Sequence, residues 1–255
     1  VGKSGNENAI LTGIASVEDS EVCFIPDPTD DAVAYLSAMR DSKLWIESER
    51  PDFYSNELRL AVEVMRVDDH PPVGKLHNPT LAREAHLERE IRSAFPSMDR
   101  DIPISVIADT GLPSEEDHNF TAYRDAFARV VGDHAARVTA YRENQPGHAL
   151  AFLVHDESSA YARVEASIAP PSNGTVFPGR AHFWFLDFFF IQIIAESGVD
   201  FVFWHTPYKH MWRIDAFGLR TKVELPTLIV YDVAAMTDWD GPMIFEPSQI
   251  VSVEE

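Results

Sequence analysis

The stretch Leu60-Ala61-Val62-Glu63-Val64-Met65-Arg66 constrains the fold most. It is the clearest strand in the first half, an apolar run of strand length over residues 58–67, and it demands a sheet around it. Side chains alternate along a strand, so Ala61, Glu63 and Met65 share one face while Leu60, Val62, Val64 and Arg66 share the other. Glu63 therefore points away from three aliphatic neighbours, toward a side where a polar cleft can form.

The flanking pattern alternates between strand and helix. Residues 22–25 read as a short strand closed by Pro26-Asp27-Pro28. Thr29 or Asp30 can cap a helix to about Arg40, with Ala32, Tyr35, Leu36 and Met39 on one face, and the helix can extend through Trp45 and Ile46. Phe53 and Tyr54 begin a strand or turn, and 68–74 is a loop rich in Asp and Pro. A helix over 81–95, a strand over 102–108 ending in Asp109-Thr110-Gly111, and a helix over 120–143 interrupted at Gly132 follow. Further strands are expected at 150–154, 199–204 and 227–231. The expected class is α/β, a central mixed sheet flanked by helices. The Pro- and Gly-rich connection 167–179 divides an α/β core, 1–166, from an aromatic-rich extension, 167–255, packed on or continuing the same sheet.

Forty-one acidic against twenty-one basic residues give a net charge of -20. The average surface repels nucleic acid and anionic lipid, so a nucleic acid can bind only through a local basic patch or a bound cation. A basic protein partner is the other reading of that surface. Cys23 is the sole cysteine, which excludes an intrachain disulfide and any multi-cysteine zinc site and fits a reducing, cytoplasmic compartment. The start of the chain has no secretory pattern. The richest apolar stretch, 183–194, is shorter than a membrane helix needs and contains Asp187, which favours a core element over a membrane span. Asp187 must then be paired, protonated or directed outward, with His182 or Arg180 the nearest partners in sequence.

If the segment before residue 60 makes a hairpin, Asp52 returns beside Glu63. Two carboxylates that close repel, and a hard cation such as Mg²⁺ cures the repulsion. Alternatively, Asp52 merely shapes a turn and Glu63 pairs with an arginine. Pro51-Asp52, ten intervening residues and Glu63-Val64-Met65 resemble the PD-(D/E)XK nuclease superfamily over residues 29–108. The resemblance implies a restriction-endonuclease-like core and Mg²⁺- or Mn²⁺-dependent phosphodiester hydrolysis. It implies metal ligands at Asp52 and Glu63, with help from Glu47 or Glu49 on a preceding helix. The family's lysine falls on Met65, so another base is required. Lys43 is the first candidate, four residues before Glu47, with Lys75 and Arg66 as alternatives. The rival reading is a non-catalytic, acidic protein-interaction protein on a nuclease-like scaffold.

Asp68, Asp69 and His70 can add ligands at the strand's end or simply be solvated, and Arg83, His86 and Glu90 share a helix face. His148 and His155 flank a strand that ends in Asp156 and Glu157, without a tight zinc spacing. His205, Tyr208, Lys209, His210 and Arg213 form the most basic and aromatic island in the chain, suited to phosphate, a base or a protein partner, or to packing alone.

Overall fold

The computed structural model describes residues 3–70, 118–163, 180–214 and 220–253. The helix expected over 81–95, the strand over 102–108, Lys75, Arg83, His86, Glu90 and Asp109 lie outside the described residues.

In chain order the elements are α1 (Lys3–Gly13), β1 (Val22–Ile25), α2 (Asp30–Met39), β2 (Ile46–Glu47), β3 (Phe53–Ser55), β4 (Leu60–Val67), α3 (Phe120–Ala135), α4 (Val138–Asn144), β5 (Ala149–Asp156), β6 (Tyr161–Arg163), β7 (Arg180–Ala181), α5 (Phe188–Ala195), β8 (Phe201–His205), β9 (Met211–Ile214), β10 (Arg220–Val223), β11 (Leu228–Asp232) and β12 (Ile250–Ser252). Seven strands form one mixed sheet in the order β1-β11-β8-β5-β4-β3-β2. β4, β5 and β8 run parallel to one another, while β3 and β11 are antiparallel to their neighbours β4 and β8. β8 and β11 thus come from the C-terminal stretch yet lie between β5 and β1. The expected mixed α/β sheet is what the chain forms.

Both faces of the sheet are covered, which explains the near-continuous apolar runs of its central strands. On one face Leu60, Val62, Val64, Leu153 and Phe203 pack against Ile10, Leu11 and Ile14 of the N-terminal segment and against Ala32, Leu36 and Met39 of α2. On the other, Ala61, Met65, Phe152 and Trp204 pack against Tyr123, Phe127 and Val131 of α3 and Phe190 and Ile194 of α5. Thr29 caps α2, its hydroxyl accepting a bond from Ala32 N at 3.2 Å. The helix stops at Met39, and the Asp41 side chain instead accepts from Lys43 N in a short 3₁₀ turn, Ser42–Leu44. Trp45 and Ile46 therefore do not prolong α2, and Ile46 pairs with Tyr54 in the sheet. The long helix breaks at Ala136–Arg137 rather than at Gly132. The Pro146-Gly147 turn leads into β5. Gly147 has φ +74°, a backbone conformation that calls for glycine.

The aromatic run becomes a 3₁₀ turn, Trp184–Leu186, and then α5. Asp187 is the α5 N-cap: one oxygen accepts from Phe189 N at 3.0 Å and the other is 2.9 Å from His182 Nε2. His182 is thus the partner, and burial lowers its own pKa despite that contact. No described helix is long and apolar enough to cross a membrane.

Candidate metal centres on and beyond strand four

The Phe53↔Val62 pairing of the β3–β4 ladder ends one step short of Asp52 and Glu63, which the same antiparallel register sets opposite each other. Both are buried, Asp52 8% and Glu63 5% exposed. Asp52 Oδ2 accepts a bond from Val64 N at 2.8 Å. Glu63 Oε1 accepts from the Tyr141 hydroxyl at 2.8 Å and lies 3.0 Å from His134 Nδ1. Burial and the adjacent carboxylate push the Tyr141 hydroxyl pKa up, so it stays a donor. Glu63 Oε2 is buried with no hydrogen-bond partner among the described residues. An unmatched carboxylate oxygen in that position is costly unless a cation or donor meets it.

The other residues anticipated at this site stand apart from it. Met65 is packed in the apolar cluster beneath α3. Lys43 is exposed in the turn after α2, and α2 packs on the far face. Glu47 is opposite Phe53, which belongs to that far face, and is exposed on an edge strand. Lys43 and Glu47 do not share a helix, because Asp41 ends the helical path between them. His134 and Tyr141, which do touch Glu63, stand on either side of the break between α3 and α4, so no single helical spacing in the sequence pairs them.

The parallel strands β4, β5 and β8 end together, the edge where open α/β sheets place functional groups. Beyond β4, Asp69, His70 and His118 bring ligand atoms within 4.8 Å of one another. Asp69 and His118 are buried and His70 is half-buried. Asp69 Oδ1 is 2.7 Å from His118 Nδ1. Its Oδ2 accepts from Ser159 N and Oγ, each at 3.0 Å, and from the Tyr161 hydroxyl at 2.6 Å. Burial raises the Asp69 pKa, but the bond and charge of His118, the Tyr161 hydroxyl and Lys209 outweigh it and hold the carboxyl at about 2. Asp69 is therefore an anion at neutral pH, in a cluster that could hold a divalent metal.

Next to it, Asp156 accepts from the Tyr123 hydroxyl at 2.5 Å, Trp204 Nε1 at 2.9 Å and Ser158 N and Oγ at 2.9 and 2.6 Å. Lys209 Nζ lies 3.5 Å from Asp156 Oδ2, donates to Ser158 Oγ and to Ser159 O, and sits over the Tyr123 and Trp184 rings at 4.4 and 5.0 Å. Burial lowers the Lys209 pKa, and Asp156 and Asp69 pull it back up. Burial thus withdraws Lys209 from the basic island. His205 is also buried, whereas Tyr208 and His210 are exposed; the Arg213 backbone lies in β9.

On the opposite face of the same edge, the β5–β8 register pairs His155 with His205, Nδ1 to Nδ1 at 3.2 Å. Burial and then Arg66 lower His155 to about 4, and burial and then His155 lower His205 to about 3. Neutral rings suit this contact, since one nitrogen must donate and the other accept. A histidine depressed in the fold is fully compatible with it above the unfolded value near 6.5, and acid favours the unfolded chain. Stability is thus expected to fall as pH drops from about 6.5 through 4 toward 3, and His205→Gln should flatten that limb of a thermal-melt pH profile. A wild-type profile flat over this window would refute the assignment.

No family model, curated protein or solved structure matches this chain. What the molecule presents is an α/β fold with two separate groups of candidate ligands on β4 and its continuation.

Proposed function

We propose that the chain is a divalent-metal-dependent phosphodiesterase in which Asp52 and Glu63 hold Mg²⁺ or Mn²⁺. The observation that carries this reading is the buried Glu63 Oε2, without a hydrogen-bond partner among the described residues, beside Asp52. The succession of α2 and the β2–β3–β4 meander supports it, being the first helix and the paired strands of the PD-(D/E)XK resemblance. The helix over 81–95 and the strand over 102–108, which complete the resemblance over 29–108, lie outside the described residues.

A bound divalent ion would activate water and neutralise charge on the phosphodiester. The chain's own contribution is to orient Glu63 through Tyr141, to fix Asp52 on the Val64 amide, and to place His134 as the proton-handling group where a lysine is missing. Arg137, exposed and close enough for its charge to act on the Tyr141 hydroxyl, supplies a local cation against the overall charge of -20. Arg137→Ala is expected to raise KM for a nucleic-acid substrate with a smaller change in kcat; an unchanged KM would remove Arg137 from substrate binding.

The test is cleavage of end-labelled DNA and RNA with Mg²⁺ or Mn²⁺ by the native chain, Asp52→Ala and Glu63→Ala. Metal-dependent cleavage lost in both variants supports the reading, and equal cleavage by all three contradicts it. The packed Met65 favours a second reading, a non-catalytic interaction protein on the same scaffold, which metal binding without cleavage would select.

A further inference from the structure

Glu63 is four residues from Val67, the end of β4, about 13 Å at the usual strand rise, and Asp69 follows that end. That is far beyond the separation of paired catalytic ions, about 3.5–4 Å, so the two groups cannot form one two-metal centre. They also differ in chemistry. The Glu63 site offers two carboxylates, whereas Asp69, His70 and His118 offer one carboxylate and two imidazoles.

We propose that Asp69, His70 and His118 form a second, independent site for a first-row divalent ion of the Zn²⁺ class, tying the end of β4 to the start of α3. Imidazole nitrogen favours Zn²⁺ and its neighbours over Mg²⁺ or Ca²⁺, which select oxygen ligands. The carboxylate is already oriented. Three donors from Ser159 and Tyr161 converge on Asp69 Oδ2, while Oδ1 faces His118 at 2.7 Å. Such outer hydrogen bonds are what fix the ligands of a metal centre. His118 immediately precedes Asn119, the N-cap of α3, whose backbone amide donates to Asp69 O at 3.0 Å, so the chain itself holds this ligand next to the end of β4. Among the described residues these three side chains are the ligand group that comes together here.

The test uses the 255-residue chain, stripped of metal by a chelator and titrated with Zn²⁺ against a chromophoric competitor. One equivalent is expected to bind. His70→Ala and His118→Ala should each weaken it by more than about 100-fold, and Tyr161→Phe, which removes a hydrogen bond to Asp69 but no ligand, by about 10-fold. Glu63→Gln and His155→Ala should leave the affinity unchanged. His70 is half-buried, so its variant keeps the test open if His118→Ala fails to fold, as circular dichroism would reveal. Absence of Zn²⁺ binding, native affinity in folded His70→Ala, or loss in His155→Ala with His70→Ala unaffected would each overturn the proposal. Because the readout is Zn²⁺ affinity, loss of nuclease activity in any variant leaves this test standing.

Discussion

Lys209→Ala is expected to destabilise the fold by about 3–5 kcal/mol, measured by urea denaturation at neutral pH. Lys209 is 4% exposed and its ammonium lies 3.5 Å from Asp156, which is itself fully buried. Removing one member of a buried pair leaves the other charge without compensation, the circumstance in which ion pairs matter most. Tyr123, Trp204 and Ser158 still donate to Asp156 in the variant, but they are neutral. Lys209→Met restores volume without charge and should remain nearly as unstable. Asp156→Asn combined with Lys209→Met should recover a large part of the loss, giving a positive coupling in the double-mutant cycle. The cost should also persist at high salt, because the pair is shielded from solvent ions. A loss below about 1 kcal/mol would show that the ammonium contributes little beyond packing.

Glu63→Gln should lower metal-dependent phosphodiester cleavage by about 10²–10³-fold, the kinetic equivalent of losing several kcal/mol of charge stabilisation. The substitution preserves shape and the oxygen that accepts from Tyr141, and removes the charge. Its effect on stability should be under about 1 kcal/mol, because the replaced Oε2 makes no hydrogen bond among the described residues. Tyr141→Phe should give a milder activity loss, since it loosens Glu63 without deleting it. Comparable losses of activity and stability in Glu63→Gln would mark Glu63 as a structural residue instead.

The parts of the fold legible in the sequence are those governed by local pattern. β1, β4, β5, β8 and β11 are apolar runs of strand length, and α2 carries its own cap in Thr29. Asp52 and Glu63 were legible because a hairpin between them is short. What pattern could not supply is the chemistry of long-range pairing. Tyr141 reaches Glu63 across 78 positions, and Lys209 reaches Ser158 across 51. Lys209 looks like a surface cation until β5 and β8 lie side by side and three rings close around it. His118 and Asp69 are 49 residues apart, so Asp68-Asp69-His70 alone reads equally well as a solvated loop. The placement of Lys43 and Glu47 turned on a single side chain: Asp41 capping a 3₁₀ turn competes with helix propagation, and propensity alone does not decide between them.

The most direct test of the central claim is the location of Mn²⁺ by anomalous scattering in crystals of the 255-residue chain soaked in MnCl₂. The account predicts a peak within bonding distance of Glu63 Oε2 and an Asp52 carboxylate oxygen, absent from crystals of Glu63→Gln. A peak confined to Asp69, His70 and His118, or none near Glu63, would contradict it.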